Sequence, residues 1–356
     1  KPGSTAAGPF KAIRTRAKGV SFCEHLPRVA EQAHHLAVLR GMSSREGNHD
    51  RARYLLHTGY APNPTVTHPA LGGWVSEELG AGGDLPSFIS LGGPSATAGF
   101  LGAQHGPFIV QSAVEPPQNV ARAAGIGPVR FEKRRSALEK IEAHFAAEAT
   151  DIKVDGRRAV YDKALRMMRA PGLGSFDLSS EPRAVLDAYG DSDFGRRCLT
   201  ARRLVESGVR LVEVTLDGWD THKDNFGRTQ KLMGALDPAM SALIHDLEKR
   251  RLLEKTLVIW MGDFGRTPRI NATDGRDHHP GAWTAVLAGG GVRGGVAHGQ
   301  TDATGSTVTS GKIAVPDFFA TVVKQLGIDP NKAFPTPSGR PIEVSDSGTP
   351  LARLTA

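Results

Sequence analysis

The segment LDGWDTHKDN, from Leu216 to Asn225, concentrates polar side chains directly after the strand-like run VRLVEVT. Asp220 and His222 within it are of the residue types that bind divalent cations in proteins. The segment also has a simpler interpretation, in which Asp217 and Asp220 cap the following helix and His222 lies on the surface. Taken alone, it does not decide between these two interpretations.

Two further polar segments strengthen the metal interpretation. Asp263 and Arg266 follow the apolar run LVIWMG, and Asp277, His278 and His279 stand just before the run AWTAVLAGGG. Carboxylates and imidazoles from three loops predict a site for one or two divalent ions of Zn²⁺, Mn²⁺ or Ca²⁺. Consecutive side chains of an extended segment point in opposite directions, so at most one of the two histidines is expected to bind metal directly. The other is expected to support that ligand or to face the substrate.

Strand-like and helix-like patterns alternate in the C-terminal half and predict an α/β fold. VRLVEVTL, LVIWMG and AWTAVLAGGG read as strands, and the run from RTQKLMGAL to LLEKT and the run VPDFFATVVKQLG read as helices. Such alternation is typical of parallel sheets, whose ligands bind beyond the carboxyl ends of the strands. The polar loops are therefore expected to meet at one edge of a sheet.

The N-terminal half predicts further elements. HLPRVAEQAHHLAVLRGM predicts a helix that runs into a strand ending near Met42, and HDRARYLLHTG predicts a helix stopped by Gly59, with the loop SSREGN between them. LPSFISLGG predicts a strand, and the glycine-rich GGPSATAGFLGAQHGPF lacks the spacing of nucleotide-binding loops. Charged helical patterns from about residue 128 to 203 predict a helical insertion or cap.

Composition sets limits on the class of protein. The chain has 356 residues, of which 39% are hydrophobic and 23% charged, and it contains no long apolar run that would predict a membrane span. The net charge of +7 comes from scattered Lys and Arg residues without a nucleic-acid-binding motif, so no nucleic-acid partner is predicted. Cys23 and Cys198 lack the spacing of a disulfide framework or a metal site and are expected to be structural.

Several motifs resemble those of the domain of unknown function 1501 family, a sulfatase-like family of the alkaline phosphatase-like superfamily. They are GWDTHKDNF, DFGRTPRIN, GRDHHPGAW, LAGGGVRGG and VPDFFATVVKQLGID, with LPSFISLGG and GFLGAQHGPF extending the resemblance over nearly the whole chain. The resemblance implies one domain over residues 1–356, in which a doubly wound, mostly parallel sheet is flanked by helices and residues 128–203 are inserted. It also implies an export signal, a periplasmic or extracellular location, and a first strand preceding Lys1 that carries an acidic metal ligand.

The resemblance further implies a metal-dependent hydrolase of sulfate or phosphate esters, with a small-molecule or polysaccharide substrate. In that family pattern, Phe264 stands where the superfamily often has a histidine, and Asp263 stands where many members of the family have glutamate. Arg266 and Asn225 are expected to bind ester oxygens, because a guanidinium group matches a tetrahedral oxyanion. The metal ligands implied are Asp220, His222, Asp263, Asp277 and His278.

The nucleophile implied by the resemblance has no obvious counterpart. The helix HDRARYLLHTG has the shape of the sulfatase helix that follows the nucleophile, but Asn48 and His49 occupy the nucleophile's place. His49 is predicted as a nucleophile, metal ligand, general acid or substrate-binding residue, with Asn48 beside the substrate and the Ser44 hydroxyl as a second catalytic candidate. In a simpler interpretation, Asn48 caps the helix and His49 belongs to its first turn. CEHLPR, at Cys23, is not a formylglycine signature because its proline stands four places after the cysteine instead of two.

Two other functions remain compatible with the sequence. The doubtful nucleophile favours an exported binding or structural protein that keeps the scaffold without turnover. A phosphomutase-like transferase, which would use a serine near such a loop, is the third possibility. The particular ester, the metal and the oligomeric state are left open.

Overall fold

We describe the fold from a computed structural model. The described residues are 6–112, 117–118, 120–148, 152–352 and 354. The Lys1-Pro2-Gly3 start lies outside them. The chain forms two compact units, the first made of residues 1–67, 181–202 and 216–356 and the second of residues 68–180 and 203–215. Among the described residues, no helix combines the length and apolar character that crossing a membrane requires.

Sixteen strands and nine α-helices lie among the described residues. The strands are β1 (Ala12–Arg14), β2 (Ser21–Cys23), β3 (Leu36–Ser43), β4 (Phe88–Leu91), β5 (Phe108–Val110), β6 (Leu211–Val214), β7 (Val258–Trp260), β8 (Gly265–Arg266), β9 (His278–His279), β10 (Trp283–Ala288), β11 (Val296–His298), β12 (Gln300–Thr301), β13 (Val308–Ser310), β14 (Ile313–Ala314), β15 (Ala333–Pro335) and β16 (Pro341–Glu343). The helices are α1 (Pro27–Glu31), α2 (His49–Thr58), α3 (Leu71–Leu79), α4 (Pro128–Glu148), α5 (Ile152–Met167), α6 (Arg183–Tyr189), α7 (Asp193–Glu206), α8 (Asn225–Lys249) and α9 (Val315–Gln325).

The main sheet of the first unit is mixed. Its strand order is β11-β3-β10-β7, and β14 also pairs with β3. Strands β11 and β14 run parallel to β3, whereas β10 is antiparallel to both of its neighbours. The chain is therefore mixed α/β, and the prediction of a mostly parallel sheet is wrong for β10. A buried strand is apolar on both faces in either direction, so its sequence does not reveal its orientation.

Helix α2 is capped at both ends and approaches α9 at its C-terminal end. Asn48 caps its first turn by accepting a hydrogen bond from Arg51 N at 3.2 Å. Gly59 ends it in the left-handed conformation, with φ of 77°. A Cβ at Gly59 would lie only 2.8 Å from Phe319 Cδ1, so glycine lets the end of α2 approach α9 closely. The α2 helix therefore presents His49 at a fixed position beyond the end of β3.

Helix α8 extends for 25 residues, or about 37 Å at 1.5 Å per residue. Asp224 caps its start by accepting a hydrogen bond from Gly227 N at 3.2 Å. Near its middle, the Asp237 carboxylate accepts hydrogen bonds from the backbone N–H groups of Arg28 and Val29 at 3.1 and 2.8 Å. These bonds satisfy two N–H groups in the first turn of α1, which have no partner within that helix, and fix α1 against α8.

The second unit contains a three-stranded parallel sheet in the order β5-β4-β6. The predicted strand LPSFISLGG corresponds to β4, whose four residues are all buried. VRLVEVT forms β6 in this sheet, and not a strand of the main sheet as the α/β pattern predicted. Helices α4 to α7 lie within or across the predicted helical block, whose role as an insertion or cap stays a prediction.

Candidate metal centre

Loops and element ends of the first unit bring six ionisable side chains together. His49 begins α2, Asp220 and His222 lie in the loop before α8, and Asp263 follows β7. Strands β8 and β9 pair antiparallel, with Arg266 opposite His278. Because directly opposed residues of a two-stranded ladder lie on the same face, this pairing puts a guanidinium group beside an imidazole.

One oxygen atom of Asp220, Oδ1, lies at the centre of the cluster. Four nitrogen atoms surround it, and the distances are 2.5 Å to Arg266 Nη2, 3.1 Å to His222 Nε2, 3.2 Å to His278 Nε2 and 3.4 Å to His49 Nε2. The Nε2 atoms of His222 and His278 are only 2.9 Å apart. Three imidazoles therefore direct the same ring atom toward one carboxylate oxygen.

The opposite nitrogen of each ring, Nδ1, faces an acceptor. The pairs are His49 with Asp263 Oδ2 in a very short contact, His222 with Asp277 Oδ1 at 2.9 Å, and His278 with the Gly47 carbonyl at 2.7 Å. Carbonyl and carboxylate oxygens only accept hydrogen bonds, so Nδ1 carries the proton in each neutral ring. Each Nε2 then presents a lone pair to the cluster, as imidazole ligands of metals do.

These donor atoms fit a divalent cation. Ligands 2.0–2.2 Å from zinc lie about 3 Å from one another, and the observed separations around Asp220 Oδ1 are 3.1 to 3.4 Å for the imidazoles. Ligand atoms of His49, Asp220 and His278 all lie within 4.8 Å of one another. His49 Nε2 is shielded from solvent and has no hydrogen-bond partner among the described residues. A cation would satisfy that lone pair.

Asp220 stays ionised under ordinary conditions. Partial burial works to raise its pKa, but the hydrogen bond and charge of Arg266, together with the adjacent His278 and His222 rings, hold the pKa well below the usual range of a carboxyl group. Its side chain is 49% exposed. The cluster therefore presents a permanent negative charge that solvent and solutes can reach.

Asp263 and Asp277 contact the far sides of the imidazoles. Asp263 uses Oδ2 for His49 and Oδ1 to accept a hydrogen bond from Phe264 N at 3.1 Å. Hydrogen bonds from His222 and Asn271 lower the pKa of Asp277. Both residues were predicted as direct ligands. In the structure each of them is hydrogen-bonded to an imidazole Nδ1, so that the ring lies between the carboxylate and Asp220 Oδ1. A carboxylate in this position orients a metal-binding histidine and raises its basicity.

Phe264 occupies the position where the resemblance implies a histidine. Its ring is 8% exposed and lies 4.8 Å from the ring of His49 and 4.6 Å from that of His278, measured between centroids. The guanidinium carbon of Arg266 lies 5.9 Å from its centroid. The aromatic ring therefore supplies an apolar support that fixes the orientation of its polar neighbours.

Asn271 joins two of the loops and was not among the predicted site residues. Its Nδ2 donates to the His222 carbonyl at 3.0 Å and to Asp277 Oδ1 at 3.2 Å, and its Oδ1 accepts from Gly275 N at 2.9 Å. A Cβ at Gly275 would overlap the His222 carbonyl. The NATDG sequence has the Asn and Gly of a side-chain-stabilised turn, which is the signal that would have indicated this role.

Two other predicted residues of the α2 region have local contacts. Ser44 Oγ accepts a hydrogen bond from Glu46 N at 2.9 Å, and Asn48 is the N-cap of α2. No described hydrogen bond or ion pair joins either side chain to the cluster. Their catalytic and substrate-binding roles stay predictions.

Asn225 and His279, predicted to bind substrate, also have contacts outside the cluster. Asn225 is buried, and its Oδ1 accepts a hydrogen bond from Thr221 Oγ1 at 2.6 Å. His279 Nε2 lies 2.8 Å from the Ser306 carbonyl. In the extended pair β9, His278 faces Asp220 while its neighbour is bonded elsewhere, as alternation along a strand requires.

Comparison with known protein families identifies the family of the chain. A family model described as "Protein of unknown function (DUF1501)" matches residues 2–355. No curated protein matches the chain. The family predicted from the motifs is thereby confirmed, and its placement in the alkaline phosphatase-like superfamily stays a prediction.

Proposed function

This chain belongs to the DUF1501 family, and we propose that it is a metal-dependent hydrolase of sulfate or phosphate esters, borne by small molecules or polysaccharides. The observation that supports the proposal is the convergence of three imidazole Nε2 atoms on Asp220 Oδ1. Each ring also has a hydrogen-bond acceptor at Nδ1, the arrangement that orients metal-binding histidines. A structural salt bridge needs one partner for a carboxylate and does not require three.

In this proposal His49, Asp220 and His278 hold the cation, and His222 is a fourth donor. Three nitrogen ligands with one carboxylate favour Zn²⁺ or Mn²⁺ over Ca²⁺, which prefers oxygen ligands alone. When bound, such a cation supplies Lewis acidity that polarises an ester oxygen.

Arg266 is the residue proposed to bind the ester anion. Its side chain is 17% exposed, and two of its N–H groups are used by Asp220 and the Arg276 carbonyl. A guanidinium group has five N–H donors, so others remain for sulfate or phosphate oxygens. Its place beside Asp220 orients an anionic ester next to the cation-binding atoms.

The proposed reaction is direct hydrolysis by water. The start of α2 carries Asn48 and His49, and neither offers a hydroxyl or thiol for a covalent intermediate. Asp263 accepts a hydrogen bond from Nδ1–H of His49, which leaves Nε2 as the ring nitrogen with the lone pair. We also propose that the protein acts outside the cytoplasm, as the family resemblance implies.

Metal analysis combined with hydrolysis assays tests the proposal. Purified protein without an affinity tag should contain zinc or manganese by elemental analysis and should release nitrophenol from 4-nitrophenyl phosphate or sulfate. His278→Ala should lose turnover and the metal held at Asp220, so that it binds one equivalent fewer than wild type. His57→Ala, in the last turn of the helix that His49 begins, should retain both. Metal-free wild-type protein that binds neither ion on titration would refute the metal site.

A binding or structural protein that keeps the scaffold without turnover is the second candidate. The observation that favours it is the start of α2, where Asn48 caps the helix and His49 is hydrogen-bonded to Asp263. Metal-loaded protein that binds phosphate or sulfate ion but hydrolyses neither aryl ester would support this alternative. Release of product by wild type and not by His278→Ala would exclude it.

A further inference from the structure

A second group of potential metal ligands lies far from Asp220 within the first unit. It consists of His34, His35 and Glu248. The two histidines come just before β3, whereas His49 follows the other end of that strand, whose eight residues span about 26 Å. Glu248 lies at the C-terminal end of α8, while the loop carrying Asp220 precedes the start of that helix. The two groups of ligands therefore lie at opposite ends of β3 and at opposite ends of α8.

The three side chains are close enough to share one ion. One ligand atom from each lies within 4.8 Å of the others. His35 Nε2 is 3.2 Å from Glu248 Oε1, and the ring centroids of His34 and His35 are 3.9 Å apart with an interplanar angle of 42°. Adjacent histidines with rings this close present their nitrogens to one region of space.

The contacts of the two rings leave a nitrogen of each available to a cation. His34 Nδ1 lies 3.1 Å from the Glu31 carbonyl, which can only accept, so in the neutral ring Nε2 is unprotonated. His35 Nε2 is shielded from solvent and has no hydrogen-bond partner among the described residues, although Glu248 lies beside it.

We propose that His34, His35 and Glu248 form a second, structural site for a transition-metal dication such as Zn²⁺ or Ni²⁺. Two imidazoles and one carboxylate suit these ions and leave the remaining coordination positions to water. The bound ion would join the chain entering β3 to the end of α8. Because this site is at the opposite end of both elements from Asp220, the proposal does not depend on the proposed hydrolase activity.

Zinc and nickel titrations of the full chain, without an affinity tag and stripped with EDTA, test this site. Wild type should bind two equivalents, and His278→Ala should retain one. Adding His34→Ala and Glu248→Gln to His278→Ala should weaken the remaining binding by at least about 10-fold, the low end for disturbing a metal site. His245→Ala, an exposed histidine on the same helix, should change neither equivalent.

Thermal unfolding gives a second readout that does not involve activity. Zinc should raise the midpoint of the His278→Ala protein and should leave that of the His34→Ala, Glu248→Gln, His278→Ala protein unchanged. Circular dichroism without metal should show both proteins folded. Binding of zinc with unchanged stoichiometry and affinity after the His34 and Glu248 substitutions would overturn the proposal, as would a His278→Ala protein that binds no metal.

Discussion

Two substitutions of Asp263 distinguish a residue that orients a ligand from a direct metal ligand. Its Oδ2 contacts His49 Nδ1, and its Oδ1 accepts from Phe264 N at 3.1 Å. Asp263→Asn keeps an acceptor oxygen for His49 but removes the negative charge, whereas Asp263→Ala removes both. If Asp263 acts through His49, the asparagine variant should bind zinc clearly better than the alanine variant.

The expected size of the effect follows from the hydrogen bond that is lost. A hydrogen bond to a charged group contributes about 1.5–3 kcal/mol, which corresponds to roughly 10- to 140-fold in Kd. Loss of a residue that orients a metal ligand costs about 10- to 100-fold in metal affinity. The Asp263 side chain is 25% exposed, so solvent screening places the alanine variant toward the lower end of this range. The asparagine variant should lose less than about 10-fold.

Zinc affinity is measured by competition with a chromogenic chelator, on protein without an affinity tag. Circular dichroism and thermal melting establish that each variant folds. Asp50→Ala is the matched control, because Asp50 is an exposed acid in the first turn of α2 next to His49. Equal and large losses in both Asp263 variants are the signature of a direct ligand and would refute the reasoning. An alanine variant with wild-type affinity would refute it as well.

Three other variants or reagents probe different parts of the molecule. Arg266→Gln removes the guanidinium charge 2.5 Å from Asp220 Oδ1, so calorimetry should show tighter zinc binding and weaker phosphate binding. Unchanged zinc affinity would contradict this. Gly275→Ala places a Cβ on the His222 carbonyl, so it should lower the free energy of unfolding by about 1–3 kcal/mol and weaken zinc binding. A denaturant unfolding curve identical to that of wild type would argue against the overlap. Burial raises the pKa of Cys198 to about 12, so a thiol reagent should react quickly only with Cys23 in the native protein and with both cysteines after denaturation. Fast reaction of both cysteines in the native protein would contradict the burial of Cys198.

Features determined by neighbouring residues were predictable from the sequence. Gly59 ends α2 in a conformation that glycine adopts readily, and Asn48 caps the same helix. The direction of β10 and the sheet to which β6 belongs were not predictable in this way. Both depend on pairing with strands distant in the chain, and a buried apolar strand has the same pattern in either arrangement.

The site shows the same division between local and distant information. Residue types indicated that loops carrying Asp220, Asp263 and His278 would contain metal ligands, and the structure brings these loops together. Which carboxylate faces the cation position depends on differences of a few ångströms, and residue types do not encode them. The Gly47 carbonyl that orients His278 is a backbone group, so no side-chain pattern indicates it.

The arrangement around Asp220 links the binding of cation and anion. Arg266 is the permanent positive charge among the four nitrogen neighbours of Oδ1, and without another cation it offsets the charge of the carboxylate. A divalent ion at the three imidazoles would leave positive charge in excess beside one carboxylate. That excess opposes the cation and favours an oxyanion, which the guanidinium group is suited to bind. Since such coupling is reciprocal, an anion bound at Arg266 must strengthen cation binding by the same factor. The Arg266 guanidinium group therefore weakens the binding of metal alone, and it favours the complex in which metal and an anionic ester are bound together.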